Sequence, residues 1–322
     1  MERRRSLSVV VPCFNESAVV ELFFKELRPV LASLAPLKTE VVFVDDGSDD
    51  DTLERLDRLA AADPSVRVLS LSRNFGHQVA LSAGLDAAGG DAVVLMDADL
   101  QHPPSLLPEL VRRWLAGDDV VLAVRSRTEG ASWFKNASSS AFYALLNRLS
   151  STKVPAGAAD FCLLSRRVAR ALSGMPERHR FLRGLVSWAG FRRSMVDYRS
   201  PRRAAGETKY SLVKMSALAL DAVFSFSAEP LRLALRAGLA IVVLGFAYLA
   251  WTLIYGWLLH ALVPGYSSLI GVMTILGGCQ LVFIGLIGEY LARVFEQVKG
   301  RPIYLLRRDA AASALGDGDR AG

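Results

Sequence analysis

From Ala237 to Gly288 the chain contains no Asp, Glu, Lys or Arg. A helix needs about 20 apolar residues to cross a bilayer. The stretch divides at Val263-Pro264-Gly265, where Pro and Gly interrupt helical geometry. It therefore reads as two membrane spans, Ala237 to Leu262 and Tyr266 to Gly288, joined by a short turn. Buried core helices of such length and purity are uncommon. Arg232 and Arg236 precede the first span, and Arg293, Lys299, Arg301, Arg307 and Arg308 follow the second, while the turn has no basic residue. Basic flanks stay on the cytoplasmic side. The expectation is a multi-pass protein of the cytoplasmic (inner) membrane, with the turn outside and both ends of the chain inside.

The composition agrees, with 52% of the 322 residues hydrophobic. The net charge of +6 is too small to argue for nucleic acid, and no nucleic-acid partner is expected. Cys13, Cys162 and Cys279 lie far apart in apolar settings, so neither a disulfide framework nor a zinc site is expected. Met1 to Arg5 resembles the start of a signal peptide, but the apolar run after it stops at Pro12 and Asn15-Glu16, so that reading is rejected.

The chain before the spans alternates short β-branched runs with helix-periodic segments. Strands are expected at Leu7–Val11, Val41–Val44, Val66–Leu71, Val93–Met96 and Val120–Val124, and helices between them. This rhythm gives an α/β domain, a mostly parallel sheet with helices on both faces. Further helices are expected near Trp133–Leu149 and Arg180–Trp188, and an interfacial amphipathic helix at Leu212–Phe226. Gly157 to Leu164 reads as a loop entering another strand. The expected domains are a cytoplasmic catalytic domain (1–205), juxtamembrane helices (206–235), the spans and their turn (236–292) and a cytoplasmic tail (293–322), disordered from Asp309.

Open α/β sheets bind ligands at the carboxyl ends of their strands. Four such ends carry Pro12/Asn15/Glu16, Asp45/Asp46, Arg73/Asn74 and Asp97/Asp99. Asp97 and Asp99 alternate past one residue, so both face the same way as the strand ends. Such a carboxylate pair suits a hard divalent cation that grips phosphates. Asp45 or Asp46 would accept a hydrogen bond from a base or ribose. Helix capping is the plainer reading of all four acids. A GxGxxG turn and a Walker lysine are both absent, which excludes an ordinary dinucleotide site and a P-loop. Arg125, Arg127 and the basic loop Arg202/Arg203/Lys209 are candidates for binding a phosphate, or else form a solvated or lipid-headgroup-binding basic face. His77 and His102 read as one loop hydrogen-bonder and one helix-start residue, and neither is given a role.

The segments Val-Val-Pro-Cys-Phe-Asn-Glu (10–16), Val-Asp-Asp-Gly-Ser-Asp-Asp-Asp-Thr (44–52), Ser-Arg-Asn-Phe-Gly-His (72–77) and Asp-Ala-Asp-Leu-Gln-His-Pro (97–103) resemble family 2 glycosyltransferases. With the paired spans, ending in Gly288-Glu289-Tyr290, the chain is similar to the polyprenyl-phosphate subgroup of that family (bactoprenol and dolichyl-phosphate types). The resemblance implies the nucleotide-sugar-binding A-type glycosyltransferase fold followed by two C-terminal transmembrane helices. It places Pro12, Glu16 and Asp46 in the nucleotide pocket, with Asn15, Asp45 and Arg73 beside them. Asp97 would contact ribose or metal, Asp99 would coordinate Mg²⁺ or Mn²⁺, and Gln101 would add to that set. Asp160 matches the acceptor-side aspartate. Arg183 stands where the family often has an arginine near the pyrophosphate, although the Gln-x-x-Arg-Trp motif of processive synthases is replaced by Arg180-Phe181-Leu182-Arg183. That departure argues against a polymer synthase.

The function implied is inverting transfer of a hexose from a nucleotide sugar, with UDP as the expected nucleotide, to undecaprenyl or polyprenyl phosphate for cell-envelope glycans. The alternatives are a lipid-hydroxyl acceptor such as diacylglycerol and an inactive membrane-tethered binding module. The implied partners are the donor, the lipid acceptor and the bilayer, with a homo-oligomer left open.

Overall fold

The computed structural model describes residues 5–125, 158–178, 180–199, 229–259 and 265–309. The β-branched runs become strands because both of their faces are covered. In β1 (Ser6–Cys13) every residue from Leu7 onward is buried, and β2 (Lys38–Asp45), β3 (Val66–Leu71) and β4 (Ala92–Leu95) are nearly as dry. Alternation is lost in such strands, since neither face meets water. They pair in parallel in the order β4-β1-β2-β3. The connections are α1 (Val20–Ser33), α2 (Thr52–Ala62) and α3 (His77–Ala87). Phe23, Leu27 and Leu31 of α1 recur at helical spacing and bury against Val9, Val11 and Phe43 of the sheet. All four strands therefore end on one edge, and every polar loop at that edge starts from a rigid base.

After β4 come α4 (Leu107–Leu115), β5 (Val120–Arg125), β6 (Ala158–Ser165), α5 (Arg166–Ser173), α6 (Leu182–Trp188) and β7 (Arg193–Tyr198). β6 inserts antiparallel between β4 and β5, and β7 runs parallel to β5. The eighth strand, β8 (Leu306–Asp309), lies antiparallel on β3 and completes the order β7-β5-β6-β4-β1-β2-β3-β8. The sheet is thus mostly parallel, as expected. The strand expected after Gly157 forms as β6 and takes in Asp160. One feature differs from the sequence reading: a strand forms in what reads as tail. The helices expected near 133–149 and 212–226, and residues 310–322, lie outside the described residues.

The sheet, its helices and β8 form one unit; α7 (Glu229–Leu259) and α8 (Tyr266–Val298) belong to another. Both helices expose large apolar side chains, among them Phe246, Leu281, Val282 and Ile284. Among the described residues one segment is long and apolar enough to cross a membrane, Leu276–Val298. The expectation of two spans is met at that one. The first expected span is helical as far as Leu259, within α7, which holds the apolar stretch Ala234–Tyr248. The second expected span lies within α8, whose segment Leu276–Val298 carries Glu289 and Arg293, which pair at 3.0 Å one turn apart.

Candidate active site

Two loops clasp each other where β1 and β2 end. The Asn15 N–H donates to Ser48 Oγ (3.0 Å), and Asn15 Oδ1 accepts from the Asp49 N–H (2.9 Å). The Glu16 N–H donates to Thr52 Oγ1 (2.9 Å). Asn15 adopts φ 55, a left-handed conformation that Asn tolerates better than most residues. Asp45 is buried and supports the turn, accepting from the Ser48 N–H (3.2 Å) and from Ser70 Oγ on β3 (3.2 Å).

Asp46 reaches the next loop. Its two oxygens accept from the N–H groups of Phe75 (2.8 Å) and Gly76 (2.9 Å). Burial pushes the Asp46 carboxyl above its usual range, against those two donors. Gly47 beside it has φ +68, and a Cβ there would stand 2.4 Å from the Arg73 carbonyl carbon. Only glycine allows both the turn and this backbone approach. The segment Ser72–Gly76 is thereby held against the β2 turn, with the Arg73 guanidinium 4.2 Å above the Phe75 ring.

At the end of β4 the chain turns sharply through Leu100, at φ 60. A branched side chain is strained there, at a cost on the order of 1–3 kcal/mol. His102 holds the turn. It is buried, stacks on Phe161 at 4.9 Å, and its Nδ1 accepts from the Asp97 N–H (2.9 Å). Burial lowers the His102 pKa, in keeping with a neutral ring whose Nδ1 accepts. Asp99 Oδ1 accepts from the Gln101 N–H (3.0 Å), and Gln101 Oε1 accepts from Arg125 (3.2 Å). Asp97 Oδ1 is buried and makes no hydrogen bond, although His77 Nε2 lies 3.5 Å away.

Asp160, buried in β6, accepts two parallel bonds from Arg183 of α6, at 2.6 Å to Nε and 2.8 Å to Nη2. Gln78 of α3 donates to Asp160 Oδ2 (3.0 Å) and accepts from the Leu182 N–H (2.9 Å). His77 Nε2 stands 3.5 Å from both Asp97 and Asp160. Burial alone would raise the Asp160 pKa, but the Arg183 charge and the bonds from His77 and Arg183 hold it well below the carboxylate range. Burial also disfavours a charged His77, yet the Asp160 bond and the two carboxylates raise its pKa.

The structure thus brings Pro12, Asn15, Glu16, Asp45, Asp46, Arg73, Asp97, Asp99, Gln101 and Arg125 to one sheet edge, and Asp160 and Arg183 join them through His77 and Gln78. Arg127, Arg202, Arg203 and Lys209 lie outside the described residues. His102 is the loop hydrogen-bonder and His77 the helix-start residue of the sequence reading. Gln78 was missed. Its signal was position, two residues beyond Gly76 at the end of the β3 loop. Arg180, expected in the helix, instead caps α5 by donating to the Leu172 and Met175 carbonyls (3.1 and 2.7 Å).

A divalent cation fits this edge. Asp97 and Asp99 offer hard oxygen donors, and Asp97 Oδ1 is buried without a hydrogen bond. Among the described residues no three His, Cys, Asp or Glu side chains form a metal cage. Mg²⁺ is usually held by one or two carboxylates, completed by water and a ligand's phosphates, so two carboxylates suffice.

Comparison with known proteins agrees with this architecture. The model of "Glycosyl transferase family 2" matches residues 8–173, and that of "GtrB C-terminal hairpin" matches 229–294. An SfII prophage-derived bactoprenol glucosyl transferase of Shigella flexneri is 41% identical over 302 residues, covering 94% of this chain and 97% of that one. A prophage bactoprenol glucosyl transferase homolog of Escherichia coli is 40% identical, covering 94% and 98%. The uncharacterized glycosyltransferase YkcC of Bacillus subtilis is 39% identical, covering 96% and 95%. Among solved structures, a glucosyl-3-phosphoglycerate synthase of Mycobacterium tuberculosis aligns with a TM-score of 0.46 and 22% identity over 68% of this chain and 78% of that one, a likeness too slight to carry an argument.

Proposed function

The chain is a member of glycosyl transferase family 2, and on that premise we propose that it transfers glucose from a nucleotide sugar to a polyprenyl phosphate, with inversion. Its domain has the family's A-type α/β fold, and the protein is a glycosyltransferase. The observation that carries the acceptor and the sugar is identity along nearly the whole chain with bactoprenol glucosyl transferases, through the C-terminal hairpin region. UDP-glucose is the expected donor.

In this reaction an acceptor phosphate oxygen bonds to the anomeric carbon as the bond from that carbon to the diphosphate breaks. The nucleoside diphosphate leaves with the electron pair. The second pKa of a phosphate monoester is about 6, so the acceptor is already ionised at neutral pH and needs no base. Asp160 is suited to this chemistry. Tied to Arg183 and held ionised, it is a poor proton acceptor and a good anchor for the Arg183 guanidinium. A lipid hydroxyl would need a base, which makes that acceptor the weaker reading. Asp46 and Gly47 shape the donor side by fixing the Ser72–Gly76 loop. Arg125, through Gln101, adds cationic charge beside Asp99. A divalent cation on Asp97 and Asp99 would supply counter-charge to the leaving diphosphate.

The test incubates purified full-length protein with Mg²⁺ or Mn²⁺, a panel of nucleotide sugars, and polyprenyl phosphate or diacylglycerol, and identifies the lipid product by mass. Polyprenyl phosphoglucose is the expected product. Glucosyl-diacylglycerol with no polyprenyl product would overturn the acceptor assignment.

We further propose that α7 and α8 both cross the bilayer, with the catalytic domain in the cytoplasm. The basic flanks support this. In intact cells a Ser267→Cys variant should be labelled by an impermeant thiol reagent and a Ser105→Cys variant should not. The opposite pattern refutes the orientation.

A further inference from the structure

The segment after α8 forms a strand. It returns to the sheet and covers the open edge of β3, pairing Leu69 with Asp309, Ser70 with Arg308 and Leu71 with Leu306. The register shifts between Ser70 and Leu71, where β3 is about to enter the Ser72–Gly76 loop. One residue on, the Ser72 N–H donates to the Leu305 carbonyl at 2.9 Å. The loop is therefore gripped at both ends. Asp46 holds Phe75 and Gly76 from the β2 side, and the returning segment holds Ser72 from the outer edge.

The same segment touches two more elements of the site's frame. Tyr304 Oη donates to Asp86 on α3 (3.1 Å), the helix that begins with His77 and Gln78. Arg178, four residues before Leu182 opens α6, donates to the Pro302 carbonyl at 3.4 Å. An edge strand left bare would offer unpaired N–H and C=O groups and would fray at its ends. Here the fraying end would be the one that carries Arg73.

We propose that residues 302–309 act as a strap that positions the Ser72–Gly76 loop for donor binding. The proposal rests on the transferase reading above for the identity of the ligand, but the ordering of the loop does not. The strap acts through backbone pairing, so its effect falls on the donor's KM more than on kcat.

The experiment compares the full-length protein with a chain stopped after Gly300, which lacks the strap, and a chain stopped after Asp309, which keeps it. A full-length Arg307→Pro variant serves as the second test, independent of any loss of fold on truncation. With Leu71 facing Leu306 and the Ser72 N–H on the Leu305 carbonyl, the next donor of this antiparallel ladder is the Arg307 N–H, and proline at that position removes it without shortening the protein. Hydrogen–deuterium exchange is read at Ser72, Phe75 and Gly76 with no substrate present, and KM and kcat are read with UDP-glucose. In the Gly300 stop and in Arg307→Pro, exchange at these amides should rise about tenfold or more, and the donor KM should rise about tenfold with kcat changing less. These are the scale of one lost hydrogen bond. The Asp309 stop should behave as the full chain does. Unchanged exchange at these amides in Arg307→Pro would overturn the strap. A full-length protein that fails to use UDP-glucose, yet shows the exchange difference, refutes the donor assignment and leaves the strap standing.

Discussion

Asp99→Asn is expected to lose about 10³-fold in turnover, roughly 4 kcal/mol of transition-state stabilisation, while unfolding at the temperature of the unaltered protein. Asparagine keeps an Oδ1 that can accept from the Gln101 N–H, so the β4 turn has no reason to open. What it lacks is the negative charge that would hold a divalent cation against the leaving diphosphate. The measurement is kcat with UDP-glucose and polyprenyl phosphate at saturating Mg²⁺ and Mn²⁺, alongside thermal unfolding. Turnover within about threefold of the unaltered protein, or full activity in excess chelator, would remove the metal from Asp99.

The second large effect is on stability. Arg183→Leu leaves the Asp160 carboxylate buried in β6 with Gln78 and His77 as its remaining partners among the described residues. Breaking a buried pair by removing one partner costs about 3–5 kcal/mol, and here the lower end applies because the Arg183 side chain is 30% exposed. A fall in melting temperature on the order of 10 °C follows. The double variant Asp160→Asn/Arg183→Leu should recover part of it, since no unpaired charge remains. The pH dependence has a definite sign. The folded pKa of Asp160 is depressed, so the stability from its pair is present above the unfolded carboxylate pKa of about 4 and is lost as pH falls through the folded value. With Arg183 gone, burial raises the Asp160 pKa instead, and the gap between variant and parent should narrow as the pH is lowered from 7 towards 4. A variant as stable as the parent at pH 7 would show that the pair does not hold β6 to α6.

The acids at the strand ends were legible because their signal is local. A buried β-branched strand running into Asp-Asp-Gly-Ser or Asp-Ala-Asp leaves few readings, and a parallel sheet has one ligand edge. The division of labour among those acids was not legible. Asp45 and Asp46 are neighbours in sequence, yet Asp45 braces its own turn while Asp46 holds a loop nearly thirty residues away. Nothing within either residue's local window distinguishes the two jobs.

The sequence by itself determined the α/β class, the sheet edge where the acids gather, the carboxylate pair that follows β4 and the apolar pair of C-terminal helices. All of these follow from patterns within about twenty residues: period, burial runs and turn residues. Only the tertiary structure decided that Asp160 is locked by Arg183, that Gln78 and His77 join it to Asp97, and that Leu305 grips Ser72. Those contacts join residues that are from 20 to more than 200 positions apart. No periodicity spans such separations. Chain crossovers and strand order set which side chains meet, and those are properties of the whole packed sheet.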